Sequence, residues 1–263
     1  MFEWSEEHQM IRDAVKRFVD DEIRPHVEEL EHGDLPPYDI LRKLFATFGM
    51  DAMARDRFTR QIEREKAVAA GTAEPAKERS GGGDSGMSLI PIIELCRVCP
   101  GMVTAMGVSM GLTSAAIMSK GTIAQKERWA LDLLTMDKVG AWAITEPGSG
   151  SDAFGSMKST ARRDGDDYIL NGSKTFITNG INSDLVIVAA KTDPTARHAG
   201  VSLLVVERGM AGFERGRNLE KIGMHSQDTA ELFFRDVRVP VANLLGEEGK
   251  GFTYLTANLA QER

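Results

Sequence analysis

One stretch of the chain concentrates groups able to handle a ligand: Trp142-Ala143-Ile144-Thr145-Glu146-Pro147-Gly148-Ser149-Gly150-Ser151-Asp152. A short apolar run enters a turn of small residues carrying serine hydroxyls and unobstructed backbone amides. Successive exposed N–H groups form a concavity that attracts anions such as a pyrophosphate. Glycine lets the main chain approach a ligand in conformations other residues avoid. Ser149 and Ser151 add hydroxyl donors, and Thr145 ends the run where it can reach a heterocycle edge. A plain polar turn also accounts for Gly-Ser-Gly-Ser, so the flanking residues must decide.

Several chemistries compete for this loop. Gly148 to Ala153 satisfies GxGxxA, the spacing of a dinucleotide fingerprint. That fingerprint must open a helix leading to a parallel strand. Here the next segment, 157–163, alternates and runs into Asp164-Gly165, a hairpin signal, so the context fails. A Walker-type loop lacks its GK[ST] end. Gly148-Ser149-Gly150 is not a GxSxG elbow, although five histidines leave a serine triad open. Of those five, His225 in Gly223-Met224-His225-Ser226 is the one placed to approach a site, with a surface-loop role as its default. Cys96 and Cys99 have CxxC spacing but no second pair or neighbouring histidine, so they are expected to be buried core thiols.

The elements that must position the loop fall into two kinds. Residues 5–31 keep an i, i+3, i+4 apolar stripe, which Pro25 should kink or divide. Pro36-Pro37 introduces a second helix stopped at Gly49. Residues 51–86 mix charges of both signs and then turn rich in Gly, Ser, Ala, Glu and Lys, predicting an exposed helix and a mobile loop ending at Gly81-Gly82-Gly83. Apolar helices follow at 87–99 and 101–119. The stretch from Met102 to Met118 reads as a buried helix, since its length and its Gly, Ser and Thr content argue against a membrane span. Thr122-Ile123-Ala124-Gln125 has capping-box spacing and starts one more helix.

After Lys138 the period changes to alternation. Strands are expected at 139–145, 158–163, 168–171, 175–178, 185–191, 201–207 and 231–239, with Asp164-Gly165 and Asn171-Gly172 as hairpin turns. Short strands without intervening helices indicate a β-barrel or sandwich. Helical patterning resumes over 251–263. The fold class is therefore α+β and multidomain: an all-α part over 1–137, a β-barrel domain over 138–245, and the start of a further helical domain over 246–263. A net charge of −7 argues against nucleic acid or an acidic membrane as the main partner. The acidic start, Met1-Phe2-Glu3-Trp4-Ser5-Glu6-Glu7, lacks the features of a leader, giving the expectation of a cytosolic chain or a mature organellar form.

Taken together, these residues resemble the acyl-CoA dehydrogenases. Ala141 to Asp152 is similar to that family's flavin-binding signature. Gly121-Thr122 with Gln125-Lys126 precedes it, and Asn171-Gly172-Ser173-Lys174-Thr175-Phe176-Ile177-Thr178-Asn179 follows. Lys221-Ile222-Gly223-Met224, Glu231-Leu232, Asp236-Val237-Arg238-Val239-Pro240 and Gln261-Glu262-Arg263 continue the match in the family's order. The resemblance is close over about 120–263 and loose over 5–50.

The resemblance implies a flavoprotein that binds FAD. Trp142, Ile144 and Thr145 would meet the flavin edge, Gly150 and Ser151 the pyrophosphate, and Phe176, Ile177 and Thr178 the ring. Phe176 would pack on the ring and the Thr178 hydroxyl would approach N5, although Phe176 and Ile177 also suit a strand core. Ser151 and Arg263 would face the acyl-CoA substrate. The implied reaction takes an α-proton and a β-hydride from an acyl thioester, leaving a trans-2-enoyl thioester. A carboxylate can act as base there only if the carbonyl is polarised. The family places that base in one of two regions, and Asn258 to Arg263 resembles the first, with Glu262 at the base position. Electron-transfer flavoprotein as acceptor, a role in fatty-acid β-oxidation and a homo-oligomer, tetrameric or dimeric, complete the expectation. A catalytically silent FAD-binding subunit and a flavin oxidase or monooxygenase are the alternatives. Segment 51–86 is longer and more charged than the family's usual link, and acyl chain length is not legible.

Overall fold

The computed structural model describes residues 4–75 and 85–262, with backbone alone for Ser85 and residues 258–262. The 76–84 part of the expected loop, with Gly81-Gly82-Gly83, lies outside the described residues. Two compact units emerge. One holds the chain through Met106 together with Lys221–Gln227; the other holds Gly107–Glu220 and the chain from Asp228 onward.

The first unit is helical. Helix α1 (Glu6–Phe18) is capped by Ser5, whose side chain accepts the His8 N–H. The apolar stripe of the sequence buries Val15, Phe18, Val19, Ile23 and Leu30. Pro25 breaks the run as its missing N–H requires: a wide turn at Val19–Ile23 and a tight one at Arg24–His26 precede α2 (Val27–His32). Helix α3 (Tyr38–Thr47) buries Tyr38, Leu41, Leu44 and Phe45, and Gly49, with φ of 63°, closes it off. Helix α4 (Met50–Ala69) buries only Phe58 and Ile62, as its mixed charges predict. In α5 (Ser85–Cys96) the buried Glu94 accepts from Arg12 Nε at 2.7 Å, fastening this helix to α1. Helix α6 spans Pro100–Met106.

The cysteine expectation holds for one residue only. Cys99 is buried, and Cys96 is exposed. Burial pushes the Cys99 thiol up to about 11, which keeps it protonated and unreactive. The helical backbone of Pro100–Lys120 is long and apolar enough to cross a membrane by length and composition. Met102, Ala105, Ser109, Thr113, Ala116 and Ile117 recur along it with the spacing of one buried face.

In the second unit α7 (Ala115–Lys120), α8 (Ile123–Gln125) and α9 (Leu131–Leu134) lead to the sheet. The capping box is present: Gln125 N–H donates to Thr122 Oγ1, and Gln125 Oε1 accepts the Thr122 N–H. Gln125 Nε2 then donates to the carbonyls of Ala242 and Leu244 at 2.7 and 2.8 Å. Seven strands form one sheet: β1 (Gly140–Ala143), β2 (Thr160–Asp164), β3 (Asp167–Thr178), β4 (Leu185–Lys191), β5 (Val201–Glu207), β6 (Phe213–Asn218) and β7 (Thr229–Pro240). Their order is β1-β4-β2-β3-β7-β6, with β5 on β4. The chain beyond β1 bonds back to β3 through Thr145 and Thr175, so the sheet curls on itself. Tyr168, Leu170, Val186, Val188, Leu204, Leu232, Phe234 and Val239 fill its inner face. One turn of helix, α10 (Ala153–Ser156), follows the glycine loop, and α11 (Gly251–Glu262) begins with Gly251 close against the Val201 carbonyl.

One turn expectation holds and two strand expectations change. Asp164-Gly165 does turn the β2–β3 hairpin, with Gly165 at φ 62°. Asn171-Gly172 does not turn. It is a bulge inside the continuous β3, where the register against β7 shifts between Leu170 and Gly172. The Asn171 side chain is held there by two bonds to Asp236, both 2.9 Å. A Cβ on Gly172 would meet Ser159 Oγ at 2.2 Å, so glycine serves close packing at this point. Strand β6 has no counterpart among the expected strands: half of its sequence, FERGRN, is charged and its burial is confined largely to Phe213.

Candidate cofactor site

The glycine loop is a closed turn. Glu146 and Ser149 exchange backbone hydrogen bonds of 2.9 and 3.0 Å across Pro147-Gly148. Ser149 is buried, and its hydroxyl points inward to the carbonyls of Asp152 and Ala153, both at 3.0 Å. It therefore holds the loop's shape and is not a ligand donor, contrary to expectation. Ser151, Gly150 and Gly148 are exposed. Neither glycine has a positive φ, so left-handed backbone is not their contribution. Among the described residues no atom comes within 4 Å of a Cβ built on either one. Their value is open space above the main chain.

The segment before the loop presents alternate residues to opposite sides. Ala141 and Ala143 are fully buried in the sheet's core, leaving Trp142 and Ile144 half-buried on the other side. Thr145 is tied to β3 twice. Its hydroxyl donates to the Thr175 carbonyl at 2.5 Å, and its carbonyl accepts the Thr175 N–H at 2.9 Å. The hydroxyl proton is thus spent, which leaves the oxygen as an acceptor only.

Strand β3 carries the most unusual residue. The register against β7 shifts between Lys174 and Ile177, and inside that bulge Phe176 adopts φ of 58° with 70% of its surface exposed. A left-handed backbone on an aromatic residue costs about 1–3 kcal/mol. Ile177 points the other way, into the core, so only its main chain remains for a ligand. Thr178 is half-buried on the same side of β3 as Phe176.

Beneath these residues lies an ion pair that sequence reasoning passed over. Lys174 is completely buried, and its Nζ donates to Glu146 Oε1 and to the Ile144 carbonyl, both at 2.9 Å. Glu146 also accepts the backbone N–H groups of Lys158 at 2.6 Å and Ser159 at 3.0 Å. Burial pushes the Glu146 carboxyl up, but Lys174 and these amides outweigh it and hold it below the usual carboxylate range. Burial draws the Lys174 ammonium down to about 8, against the pull of Glu146. The sequence carries no local signal of it, since Lys174 stands between Ser173 and Thr175 like any solvent-facing strand lysine.

The sequence also singles out Glu262, Arg263 and His225. Glu262 lies on the backbone of α11, and its side chain, like the whole of Arg263, is outside the described residues. His225 belongs to the helical unit, where its N–H donates to Glu31 Oε2 at 2.8 Å. Among the described residues no group of acidic, histidine and cysteine side chains is arranged to hold a metal ion.

Sequence comparison places this arrangement among known proteins. Residues 5–55 and 49–137 match the acyl-CoA dehydrogenase N-terminal domain, and 141–237 match the acyl-CoA dehydrogenase middle domain. The chain belongs to the acyl-CoA dehydrogenase family. It is 40% identical to the mitochondrial long-chain specific acyl-CoA dehydrogenase of Rattus norvegicus, over 99% of this chain and 56% of that protein. A crystal structure of acyl-CoA dehydrogenase from Geobacillus kaustophilus is similar with a TM-score of 0.76 and 43% identity, covering 98% of this chain and 63% of that one. One complexed with FAD, from Bacillus anthracis, gives 0.74 and 32%, covering 99% and 42%. The chain thus spans between about two fifths and two thirds of the length of these relatives.

Proposed function

We propose that this chain provides the cofactor-binding part of an FAD-dependent enzyme that converts an acyl-CoA thioester to its trans-2-enoyl-CoA. The observation that carries the reading is Phe176, a strained and exposed aromatic ring on the strand bonded to Thr145 at the entry to the glycine loop. A flat heteroaromatic ring is the kind of ligand that such a face suits. The residues present fit FAD: the space over Gly148 and Gly150 leaves room for a pyrophosphate, with the Ser151 hydroxyl beside it. Bound FAD supplies the acceptor for the hydride leaving the acyl β-carbon.

The chain's own residues do the rest. Phe176 packs against the flavin ring and excludes water from it. Trp142, Ile144 and the Thr145 oxygen line its edge, the Ile177 main chain adds to the ring contact, and the Thr178 hydroxyl serves the redox-active side. Ser151 faces the substrate arm, and the resemblance gives Arg263 a substrate-binding role. Glu262 takes the α-proton. The resemblance extends the proposal to electron-transfer flavoprotein as electron acceptor and to a homo-oligomer.

Anaerobic titration of the FAD-loaded full chain with a panel of acyl-CoA thioesters tests this. Bleaching of the flavin is the expected result. Stable yellow flavin with no bleaching would mean a silent subunit, and rapid peroxide release in air an oxidase. Glu262→Gln should abolish bleaching while FAD uptake persists; near-normal turnover would remove Glu262 from the base position.

A further inference from the structure

Three pieces of the sheet unit converge on one buried point. The end of the β1 run contributes Ile144 O and Glu146, the bulge of β3 contributes Lys174, and the entry to β2 contributes the amides of Lys158 and Ser159. Lys174 is inaccessible to solvent and Glu146 nearly so. Neither charge faces the open space above the glycines, so neither is placed to touch a ligand there. A buried pair of this kind is poor value as stabilisation alone, since well-packed apolar residues often do as well. Its geometry has another consequence. Phe176 lies two residues beyond Lys174 and Thr145 one residue before Glu146, and the Thr145–Thr175 bonds join these neighbours.

Resting on the flavin reading above, we infer that Glu146 and Lys174 are positioning residues for the cofactor. The pair clamps the loop's first residue to the β3 bulge, and so holds Phe176 in its left-handed, outward conformation before any ligand arrives. Lys174 fixes the carbonyl of Ile144, Glu146 fixes the two amides that lead into β2, and the bulge between them has no freedom to relax into regular strand. The contribution to binding is preorganisation, in which the ordering is complete in the free protein.

Amide hydrogen exchange on the full chain, with and without FAD, tests the preorganisation directly. The amides of Lys158, Ser159 and Thr175 should be protected without FAD and gain little when it is added. Fast exchange there that slows only on adding FAD would overturn the inference, and this measurement stands even if a variant fails to fold. Lys174→Met should bind FAD about tenfold or more weakly. The double variant Glu146→Gln/Lys174→Met leaves no unpaired buried charge, so its melting temperature should return towards wild type while its FAD affinity stays low. A double variant that recovers affinity along with stability would assign the pair a structural role only. If the wild-type chain takes up no FAD, the flavin reading itself fails and this inference with it. If wild type and Lys174→Met take up FAD equally well, only the inference falls.

Discussion

Phe176 sets local stability against binding. Its positive φ costs about 1–3 kcal/mol, and its exposed ring forgoes the 1.5–3 kcal/mol or so that burying such a side chain returns. Phe176→Gly removes the strain and loses only the part of that gain owed to glycine's extra chain entropy, about 0.5–1 kcal/mol. The expected outcome is an unliganded protein as stable as wild type or more so, by up to about 2.5 kcal/mol, with FAD affinity lower by at least about tenfold. Thermal melting and FAD titration of the same sample check both halves. A variant less stable than wild type would mean that the ring packs on its own protein. Thr145→Val separates a second residue-scale role, since it removes the 2.5 Å bond to Thr175 while keeping the shape of the side chain. A loss of about 0.5–1.5 kcal/mol in folding stability is expected from that one bond.

At the scale of the elements, the loop and β3 are coupled through charge, and the coupling has a pH signature. The folded Glu146 carboxyl sits below its ordinary value of 4.5. Its contribution to stability is therefore complete above that value and is lost as the pH falls through the lower folded one. Glu146→Gln should flatten this acid limb, as read by melting temperature against pH. Lys174→Met should cost about 3–5 kcal/mol at neutral pH, because it strands a buried carboxylate. The pair also shows where sequence reading stops. Helix starts and stops were legible because they depend on local groups: Ser5 and Thr122 cap their own turns, Pro25 lacks an N–H, and Gly49 tolerates a positive φ. The turn at Pro147-Gly148 was legible from its run of small residues. The Lys174–Glu146 contact joins residues 28 apart and has no local trace. Asn171-Gly172 carried a turn signal, but its meaning was fixed by Ser159 and Asp236, which meet it only in the sheet. Strand β6 is an edge whose pairing with β7 supplies the order that its charged sequence does not.

Over the whole chain, two compact units with separate buried residues imply unfolding in more than one step. The helical unit is built around Val15, Ile23, Leu41, Leu44 and Phe45, and the sheet unit around Tyr168, Leu170, Val188, Leu204 and Leu232. Leu41→Ala deletes a fully buried side chain from the first and should cost about 2–5 kcal/mol there. Gln125→Met acts on the second: it removes the donor for the Ala242 and Leu244 carbonyls, leaving two acceptors unpaired at about 1–3 kcal/mol each. Trp129 and Trp142 both lie in the sheet unit, whereas Trp4 lies in the helical one, so tryptophan fluorescence reports mainly on the sheet. Gln125→Met should lower the melting midpoint seen by fluorescence. Leu41→Ala should accelerate amide exchange in α3 while leaving β4 and β5 protected. Equal acceleration in all three elements would show one cooperative unit, and the cofactor site would then share the stability of every helix in the chain. Separate responses would confine that dependence to the sheet, whose strand β3 and glycine loop carry the proposed flavin face.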